Sequence, residues 1–276
     1  MIGAGTMGSG IALSAAQAAF EVTLCDINPA VLETAKLGID KNLVYLLTKE
    51  KIDAAQKAAI WQRINFSFAI EDCKADLIIE AIVERLDIKT DLLRQLANIN
   101  TTETILASNT SSLSINALQG NIPLPGRVAG LHFFNPANIM KLVEVVKGTL
   151  TDDRTIKALM DFCTQLNKTP VLCKDAPGFI VNRVARHFYL EAMDIVANQQ
   201  SSVEDVDAAM EAAGFKMGPF KLMDLIGMDV NLAVSTSLYE AFNKVERFKP
   251  ATMQIEKVAK NELGRKTGKG FYNYNT

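Results

Sequence analysis

The chain has 276 residues, of which 49% are hydrophobic and 22% are charged. This length and composition are typical of a soluble globular protein with enough core for two domains. The formal net charge of −2 gives no broad basis for nucleic acid or an anionic membrane surface as a partner.

The cysteines are widely spaced and form no Cys-x-x-Cys pair; they are Cys25, Cys73, Cys163 and Cys173. This pattern predicts neither a zinc site nor a disulfide framework, and we expect no metal. No apolar run reaches membrane-spanning length, and the opening residues lack the charged region of a signal peptide. We therefore expect a cytoplasmic protein. A removed organellar presequence would leave the same pattern, and that alternative stays open.

A glycine-rich turn opens the chain, with Gly3, Gly5 and Gly8 in the spacing Gly-x-Gly-x-x-Gly. Small and apolar residues follow and predict a helix, and residues 22–26 read as a buried strand that ends in an acid. In such a unit the first glycine permits a tight turn, and the second lets the backbone approach a pyrophosphate. The third lets helix and strand pack closely. The helix N-terminus would hold the phosphate charge.

Asp26 lies 18 residues after Gly8, at the end of the second predicted strand. A carboxylate there accepts hydrogen bonds from an adenosine ribose and repels an added 2′-phosphate, so Asp26 favours NAD over NADP. A strand should precede Gly3, but Met1 and Ile2 are too few for one. We therefore expect that a few residues are missing before Met1. The alternative is an ordinary glycine turn at a frayed terminus.

Two helices are predicted next, over residues 28–47 and 53–63. Lys41, Lys49 and Lys51 make this the most basic surface in the first half of the chain. It would suit the phosphates of a large anionic substrate. An ordinary solvated helix face is the more common meaning of such a pattern, and both readings stay open.

Alternating strands and helices continue beyond this region. An apolar strand over residues 76–83 is interrupted by Glu80 and leads to Glu84. An amphipathic helix over residues 86–97 and a strand over residues 104–107 follow. This alternation predicts a Rossmann-type, doubly wound and mostly parallel sheet, that is, an α/β fold.

Residues 108–112, Ser-Asn-Thr-Ser-Ser, come directly after the carboxyl end of a predicted strand. Doubly wound sheets bind ligands at that end of their strands. Serine and asparagine are also common turn and helix-cap residues, so Ser112 or Ser114 would serve equally well as a cap. Both readings stay open for this run.

His132 is one of only two histidines, and it lies between an apolar run and an Asn-Pro turn signal. Glu144 interrupts a second apolar run, where a carboxylate is costly unless a positive group holds it. If the two runs are neighbouring strands, the side chains can meet and form a general base that works near neutral pH. The alternative is that His132 caps a strand while Glu144 lies on an edge face.

The pattern changes after a helix over residues 152–166 and a strand over residues 169–173. We place the domain boundary here, with a nucleotide-binding domain over 1–175 and an all-helical domain over 176–276. The helical domain would cover the cleft and make a dimer interface. Its predicted helices cover residues 178–198, 203–213, 219–226, 228–246 and 251–260.

Asn182 lies near the start of the first of these helices, where its amide is able to reach back into the cleft. His187 lies further along the same helix. Packing or surface exposure is its expected role, and we assign it no chemistry.

Taken together, these motifs resemble the 3-hydroxyacyl-coenzyme A dehydrogenase family, most closely its short, stand-alone 3-hydroxybutyryl-coenzyme A form. The matches follow the family order over nearly the whole chain and form a highly specific set. They are residues 3–8, 80–84, 108–112, 130–136, 177–183, 218–219, 224–227 and 264–272. The chain departs from the family in its truncated first strand and in the weakly matched basic region near Lys49.

The resemblance implies that His132 is the catalytic base and that Glu144 orients and charges it. It also implies that Ser111 and Asn182 hold the 3-oxygen region of the substrate and that the helical domain dimerises. The residues it assigns to NAD are Gly3, Gly5, Thr6, Met7, Gly8, Asp26, Glu84, Lys89 and Ser111.

The predicted function is NAD-dependent interconversion of (S)-3-hydroxyacyl-CoA and 3-ketoacyl-CoA in fatty acid metabolism, with short-chain substrates. The alternatives are a related dehydrogenase of small hydroxy or sugar acids and a non-catalytic NAD-binding protein.

Overall fold

The structure, a computed structural model, describes residues 1–275 and divides the chain into two compact units, Met1–Ala176 and Pro177–Thr276. The first unit is an α/β unit. Its elements are α1 (Thr6–Gln17), β1 (Val22–Cys25), α2 (Pro29–Thr48), α3 (Ala54–Gln62), β2 (Ile64–Ser67), β3 (Leu77–Glu80), α4 (Leu86–Ile99), β4 (Ile105–Ser108), α5 (Ile115–Gln119), β5 (Val128–Phe133), β6 (Leu142–Lys147), α6 (Asp153–Gln165) and β7 (Thr169–Lys174).

The strands of this unit form two groups, β1–β2 and β3–β4–β5–β6–β7. All neighbouring pairs are parallel except β5 and β6, which are antiparallel. Every residue of β5 is buried, as is common for a strand covered by helices on both faces. The predicted doubly wound, mostly parallel sheet is confirmed.

Ile2 joins the two groups of strands, because it bridges to Cys25 on one side and to Glu80 on the other. Its N–H donates to the carbonyl of Ile79, and its own carbonyl accepts from Ala81, both at 2.8 Å. The position where a strand was expected before Gly3 is therefore held by a backbone that pairs on both sides.

The strand β2 was not predicted. Its four residues alternate between apolar and polar, and only Ile64 is buried. A run this short carries little periodic signal, and its parallel pairing with β1 is set by the fold around it.

The second unit is helical, as predicted. Helix starts follow local chemistry: the Ser202 hydroxyl accepts from the Asp205 N–H at 3.0 Å, and Pro219 occupies the first turn of its helix. The helices are α7 (Val181–Ala197), α8 (Val203–Ala212), α9 (Pro219–Ile226), α10 (Met228–Ala241) and α11 (Thr252–Ala259).

Two buried carboxylates tie the C-terminal residues of this unit to its helices. Asp224, which is 1% exposed, accepts from the backbone N–H groups of Phe271 and Tyr272, both at 2.9 Å. Asp207, with no exposed surface, accepts from the backbone N–H of Phe220 at 2.9 Å and from the Tyr272 hydroxyl at 2.7 Å. The segment after α11 is thereby part of the folded helical unit.

Within residues 1–275, none of the helices combines the length and the apolar character needed to cross a membrane.

Candidate active site

Four of the predicted site residues, Asp26, Glu84, Ser111 and His132, lie at or shortly after the carboxyl ends of β1, β3, β4 and β5. Because these strands run in the same direction, their ends face the same edge of the sheet. The helix α1 also begins at this edge, directly after the glycine turn.

The glycine turn has the shape that nucleotide binding requires. Gly3 has φ of +90°, and a Cβ there would lie 2.7 Å from the carbonyl oxygen of Ala81. A Cβ on Gly8 would lie 1.8 Å from the Gly3 oxygen, so no larger residue fits. Gly5, the N-cap of α1, faces open space, because its Cβ would meet nothing within 4 Å. A pyrophosphate fits there against the first N–H groups of the helix.

Asp26 follows β1 and fastens the glycine turn to it. One carboxylate oxygen accepts from the Ala4 N–H and the other from the Asn28 N–H, both at 2.9 Å. A carboxylate offers about four acceptor positions, so Asp26 retains capacity for a ribose hydroxyl. The turn and Asp26 together fit NAD.

Glu84 organises the loop after β4. Its Oε1 accepts from the Thr110 hydroxyl at 2.6 Å and from the N–H groups of Ser111 and Ser112 at 2.9 and 3.1 Å. The hydroxyls of both serines also lie within 3.3 Å of Oε1. Burial raises the pKa of Glu84, but the Thr110 hydrogen bond and the Lys89 charge lower it more. The net pKa lies below the ordinary value of 4.5, so Glu84 is ionised at neutral pH.

Lys89 lies behind this loop and is 1% exposed. Its Nζ is 2.9 and 2.8 Å from the two carboxylate oxygens of Glu80 and 3.3 Å from Oε2 of Glu84. The Ser108 hydroxyl donates to Glu80 from the neighbouring strand. The expected role of Lys89 beside NAD stays a prediction, since the contacts found for its ammonium group are with these carboxylates and with the carbonyl of Ile82 at 3.4 Å.

His132 and Glu144 are opposite each other on the antiparallel strands β5 and β6. Nδ1 of His132 lies 2.7 Å from Oε2 of Glu144, and the two residues are 6% and 1% exposed. The contact that the sequence predicted between them is present. A carboxylate on Nδ1 fixes the orientation and the tautomer of the ring.

Asn109 links the end of β4 to the strand that carries His132. Its side-chain oxygen accepts from the Phe133 N–H at 2.8 Å, and its own N–H donates to the Glu80 carbonyl at 2.8 Å. The ends of β3, β4 and β5 are thus joined by hydrogen bonds next to the candidate base.

The first unit therefore brings together His132 with Glu144, and Ser111 with Glu84. Asn182 is the second residue of α7, in the other unit, and its expected approach to the cleft stays a prediction. The basic residues Lys41 and Lys49 lie on α2 and at its C-cap, and their contact with coenzyme A also stays a prediction.

Thr110, Glu80 and Asn109 are residues to which the sequence assigned no role. The sequence did contain a signal for Glu80, because this carboxylate interrupts an apolar strand just as Glu144 does. For Thr110 and Asn109 the sequence offered only a run of polar residues common in turns. Across residues 1–275, no group of three or more His, Cys, Asp or Glu side chains has an arrangement suited to a metal ion.

Family comparisons cover both units. Residues 1–176 match the 3-hydroxyacyl-CoA dehydrogenase NAD binding domain, and residues 178–274 match the C-terminal domain of the same family. The chain is 45% identical to 3-hydroxyadipyl-CoA dehydrogenase of Escherichia coli K12 over 99% of its own length, which is 58% of that protein. It is 42% identical to 3-hydroxybutyryl-CoA dehydrogenase of Clostridioides difficile over 100% of its own length and 98% of the relative.

A solved structure gives the same result. The fold superposes with a TM-score of 0.95 on the crystal structure of (S)-3-hydroxybutyryl-CoA dehydrogenase from Ralstonia eutropha, with 39% sequence identity. That alignment covers 100% of this chain and 98% of the other. These matches confirm the predicted family, its Rossmann-type fold with a helical second domain, its class of NAD-dependent oxidoreductases and its cofactor, NAD. The chain belongs to the 3-hydroxyacyl-CoA dehydrogenase family and carries both of that family's domains.

Proposed function

We propose that this protein interconverts (S)-3-hydroxyacyl-CoA and 3-ketoacyl-CoA, with His132 as general base and Glu144 as its orienting carboxylate. The observation that carries the proposal is the buried 2.7 Å contact between Nδ1 of His132 and Oε2 of Glu144. A base at the carboxyl end of β5, at the same edge of the sheet as a nucleotide-binding turn, is the arrangement that alcohol oxidation requires.

NAD, when bound, would supply the acceptor for the hydride that leaves C3 of the substrate. Nε2 of His132 accepts the proton of the 3-hydroxyl group, and the resulting imidazolium is stabilised by Glu144 through Nδ1. Because Glu144 is buried, its charge is little screened by water, and the stabilisation is larger than at a surface. In the reverse direction His132 returns the proton to the 3-oxygen.

The other roles proposed for site residues follow the family resemblance. Ser111 and Asn182 hold the 3-oxygen region of the substrate. The open space at Gly5 supports a pyrophosphate there, and the position of Asp26 at the end of β1 supports a ribose contact. The residues proposed to contact NAD are Gly3, Gly5, Thr6, Met7, Gly8, Asp26, Glu84, Lys89 and Ser111.

The proposed substrate is a short-chain CoA ester, and 3-hydroxybutyryl-CoA is the first choice. Two relatives with high coverage of both chains carry that substrate in their names. The 45% identical relative is named for a six-carbon dicarboxyl ester, 3-hydroxyadipyl-CoA, so the length and end group of the acyl chain need direct measurement.

Steady-state assays of the purified chain with a graded series of 3-ketoacyl-CoA esters, each with NADH and with NADPH, test this function. We expect the highest kcat/KM with acetoacetyl-CoA and NADH. Turnover of a free hydroxy acid in preference to the CoA esters would favour the related small-acid dehydrogenases. Tight NAD binding without turnover of any ester would favour a non-catalytic NAD-binding protein.

We also propose that the protein is cytoplasmic and forms a homodimer through its helical domain. The dimer is supported by the family resemblance and by the partly exposed apolar residues of the second unit, among them Val184 at 67% and Val230 at 46%. Sedimentation equilibrium would test the dimer and cell fractionation the location.

A further inference from the structure

A group of three charges, two of them buried and the third on the partly exposed Glu84, lies directly behind the Ser111 loop. Lys89 and Glu80 are 1% and 0% exposed, and the Lys89 ammonium contacts both oxygens of Glu80. Glu84 adds a second carboxylate at 3.3 Å. Buried ion pairs contribute little net stability, since desolvation offsets the attraction between the charges. Stability alone therefore gives little reason for this arrangement.

The two carboxylate oxygens of Glu84 contact different groups, one the Lys89 ammonium and the other the Ser111 loop. Oε2 faces the Lys89 ammonium, and Oε1 accepts from the Thr110 hydroxyl and from the N–H groups of Ser111 and Ser112. Rotation of the carboxylate away from Lys89 would break the contacts with the loop as well. The orientation of the loop is thus coupled to the position of the ammonium group.

The same ion pair holds the other end of the loop. The Ser108 hydroxyl donates to Glu80, and the Ser108 oxygen accepts from the Thr110 N–H at 3.2 Å. Thr110 is fully buried, and its hydroxyl oxygen also accepts from the Leu113 N–H at 2.8 Å. The loop is therefore anchored through Glu80 at its start and through Glu84 at its middle.

We propose that Glu80 and Lys89 are positioning residues, which act through Glu84 and Thr110 to set the place of Ser111 for the reaction. The inference rests on the proposed function, since it takes Ser111 as a substrate contact. In this role, Glu80, Lys89, Glu84 and Thr110 do not need to touch the substrate. The ionised state of Glu84, which accepts five contacts on one oxygen, supports the proposal, because a charged acceptor makes stronger hydrogen bonds than a neutral one.

The first test is the matched pair Thr110→Val and Thr110→Ser. Valine preserves the size of the side chain but cannot donate to Glu84, whereas serine retains the hydroxyl. We expect T110V to lower kcat/KM for the preferred ester by about tenfold or more, the size of effect expected from losing a hydrogen bond to a carboxylate. T110S should stay within about threefold of the wild type, because the donor is retained.

The second test is the coupling between this contact and Ser111. If Thr110 acts through Ser111, then Ser111→Ala should lower kcat/KM by a much smaller factor in the T110V background than in the wild type. Asn182→Ala should cost the same in both backgrounds. If Thr110 has a purely structural role, S111A and N182A should each lower kcat/KM by the same factor with and without T110V.

The third test examines the ion pair with the double variant E80Q/K89M, which removes both buried charges together and leaves only the partly exposed Glu84 carboxylate. We expect kcat/KM to fall in the double variant. We also expect Ser111→Ala to lower kcat/KM by a smaller factor there than in the wild type, as in T110V. Asp87→Asn is the control, because its exposed ion pair with Arg85 lies on the same helix and faces solvent. If the double variant does not fold, T110V and T110S decide the question alone.

Amide hydrogen exchange separates this inference from the proposed function, because it needs no turnover. The N–H groups of Ser111 and Ser112 should exchange at least about tenfold faster in T110V than in the wild type, because the Glu84 oxygen that accepts from both is no longer held by the Thr110 hydroxyl. Unchanged exchange at both amides, or full independence of T110V and S111A in kcat/KM, would overturn the proposal. A wild-type chain with no dehydrogenase activity but with the predicted exchange would instead overturn the proposed function.

Discussion

Glu144 faces His132 across a single antiparallel strand pair, and this register places a carboxylate 2.7 Å from the imidazole Nδ1. Side chains of directly opposed residues lie on the same face of a sheet. A shift of either strand by one residue would move one of the two to the other face. The candidate base is therefore fixed by sheet pairing and not by a mobile loop.

His132→Gln should lower kcat by about a hundredfold to ten-thousandfold, the usual range for loss of a general base. The dissociation constant for NADH should change by less than about twofold, because the nucleotide contacts are made elsewhere. Stopped-flow assays and NADH fluorescence titration measure the two quantities. His187→Gln is the control, since the other histidine is exposed and its ring lies 5.1 Å from that of Phe248. Retention of the wild-type kcat in H132Q would rule out His132 as the base.

Glu144→Gln tests the charge of the orienting residue while preserving its shape. We expect kcat to fall by at least about tenfold, with a small change in KM, because the imidazolium that forms during the reaction loses its counter-charge. The thermal midpoint of the variant, measured in parallel, shows whether the fold is intact. A folded variant with an unchanged rate would mean that Glu144 is structural.

Asp26→Asn should weaken NAD binding by about tenfold and reduce the discrimination against NADP. The amide lacks the negative charge that repels a 2′-phosphate. Its single oxygen can accept from only one of the Ala4 and Asn28 N–H groups, which donate to different oxygens of the carboxylate. Calorimetric titration with NAD and with NADP on the same preparation gives the ratio directly. The same ratio in variant and wild type would show that Asp26 does not select the cofactor.

Glu84 should make the stability of the first unit sensitive to acid. Its folded-state pKa lies below 4.5, so the ionised carboxylate stabilises the fold above that pH, and this contribution is lost as the pH falls through the folded pKa. The urea midpoint of the wild type should therefore decline more steeply below about pH 4.5 than that of Glu84→Gln. The control is Glu21→Gln, at an exposed position, whose urea midpoint should depend on pH as that of the wild type does. If the urea midpoint of E84Q shows the same pH dependence as the wild type, the proposed stabilisation by the Glu84 charge is wrong.

Much of this molecule could be predicted from the sequence because its signals are local. The spacing of Gly3, Gly5 and Gly8 marks a turn whose first and third glycines leave no room for a Cβ. The interruption of apolar strands by Glu80 and Glu144 marks carboxylates that need buried partners.

Contacts between distant elements were the part that the sequence left undetermined. Lys89 reads as one polar residue on an amphipathic helix, and only the packing of α4 against β3 turns its ammonium toward Glu80. Likewise β2 owes its existence to pairing with β1, since its own four residues carry little periodicity.

The attachment of the C-terminal segment to Asp207 and Asp224 also fixes the order in which the helical unit is completed during synthesis. Tyr272 lies 65 residues after Asp207 and 48 after Asp224. Both aspartates are made with α8 and α9, but Phe271 and Tyr272, whose N–H groups pair with Asp224, are made 47 and 48 residues after it. A buried carboxylate without donors is costly, so the helices cannot settle into their final packing before those residues are released. The second unit therefore completes its packing only after Phe271 and Tyr272 have been made, and it depends on these two residues as much as on its helices.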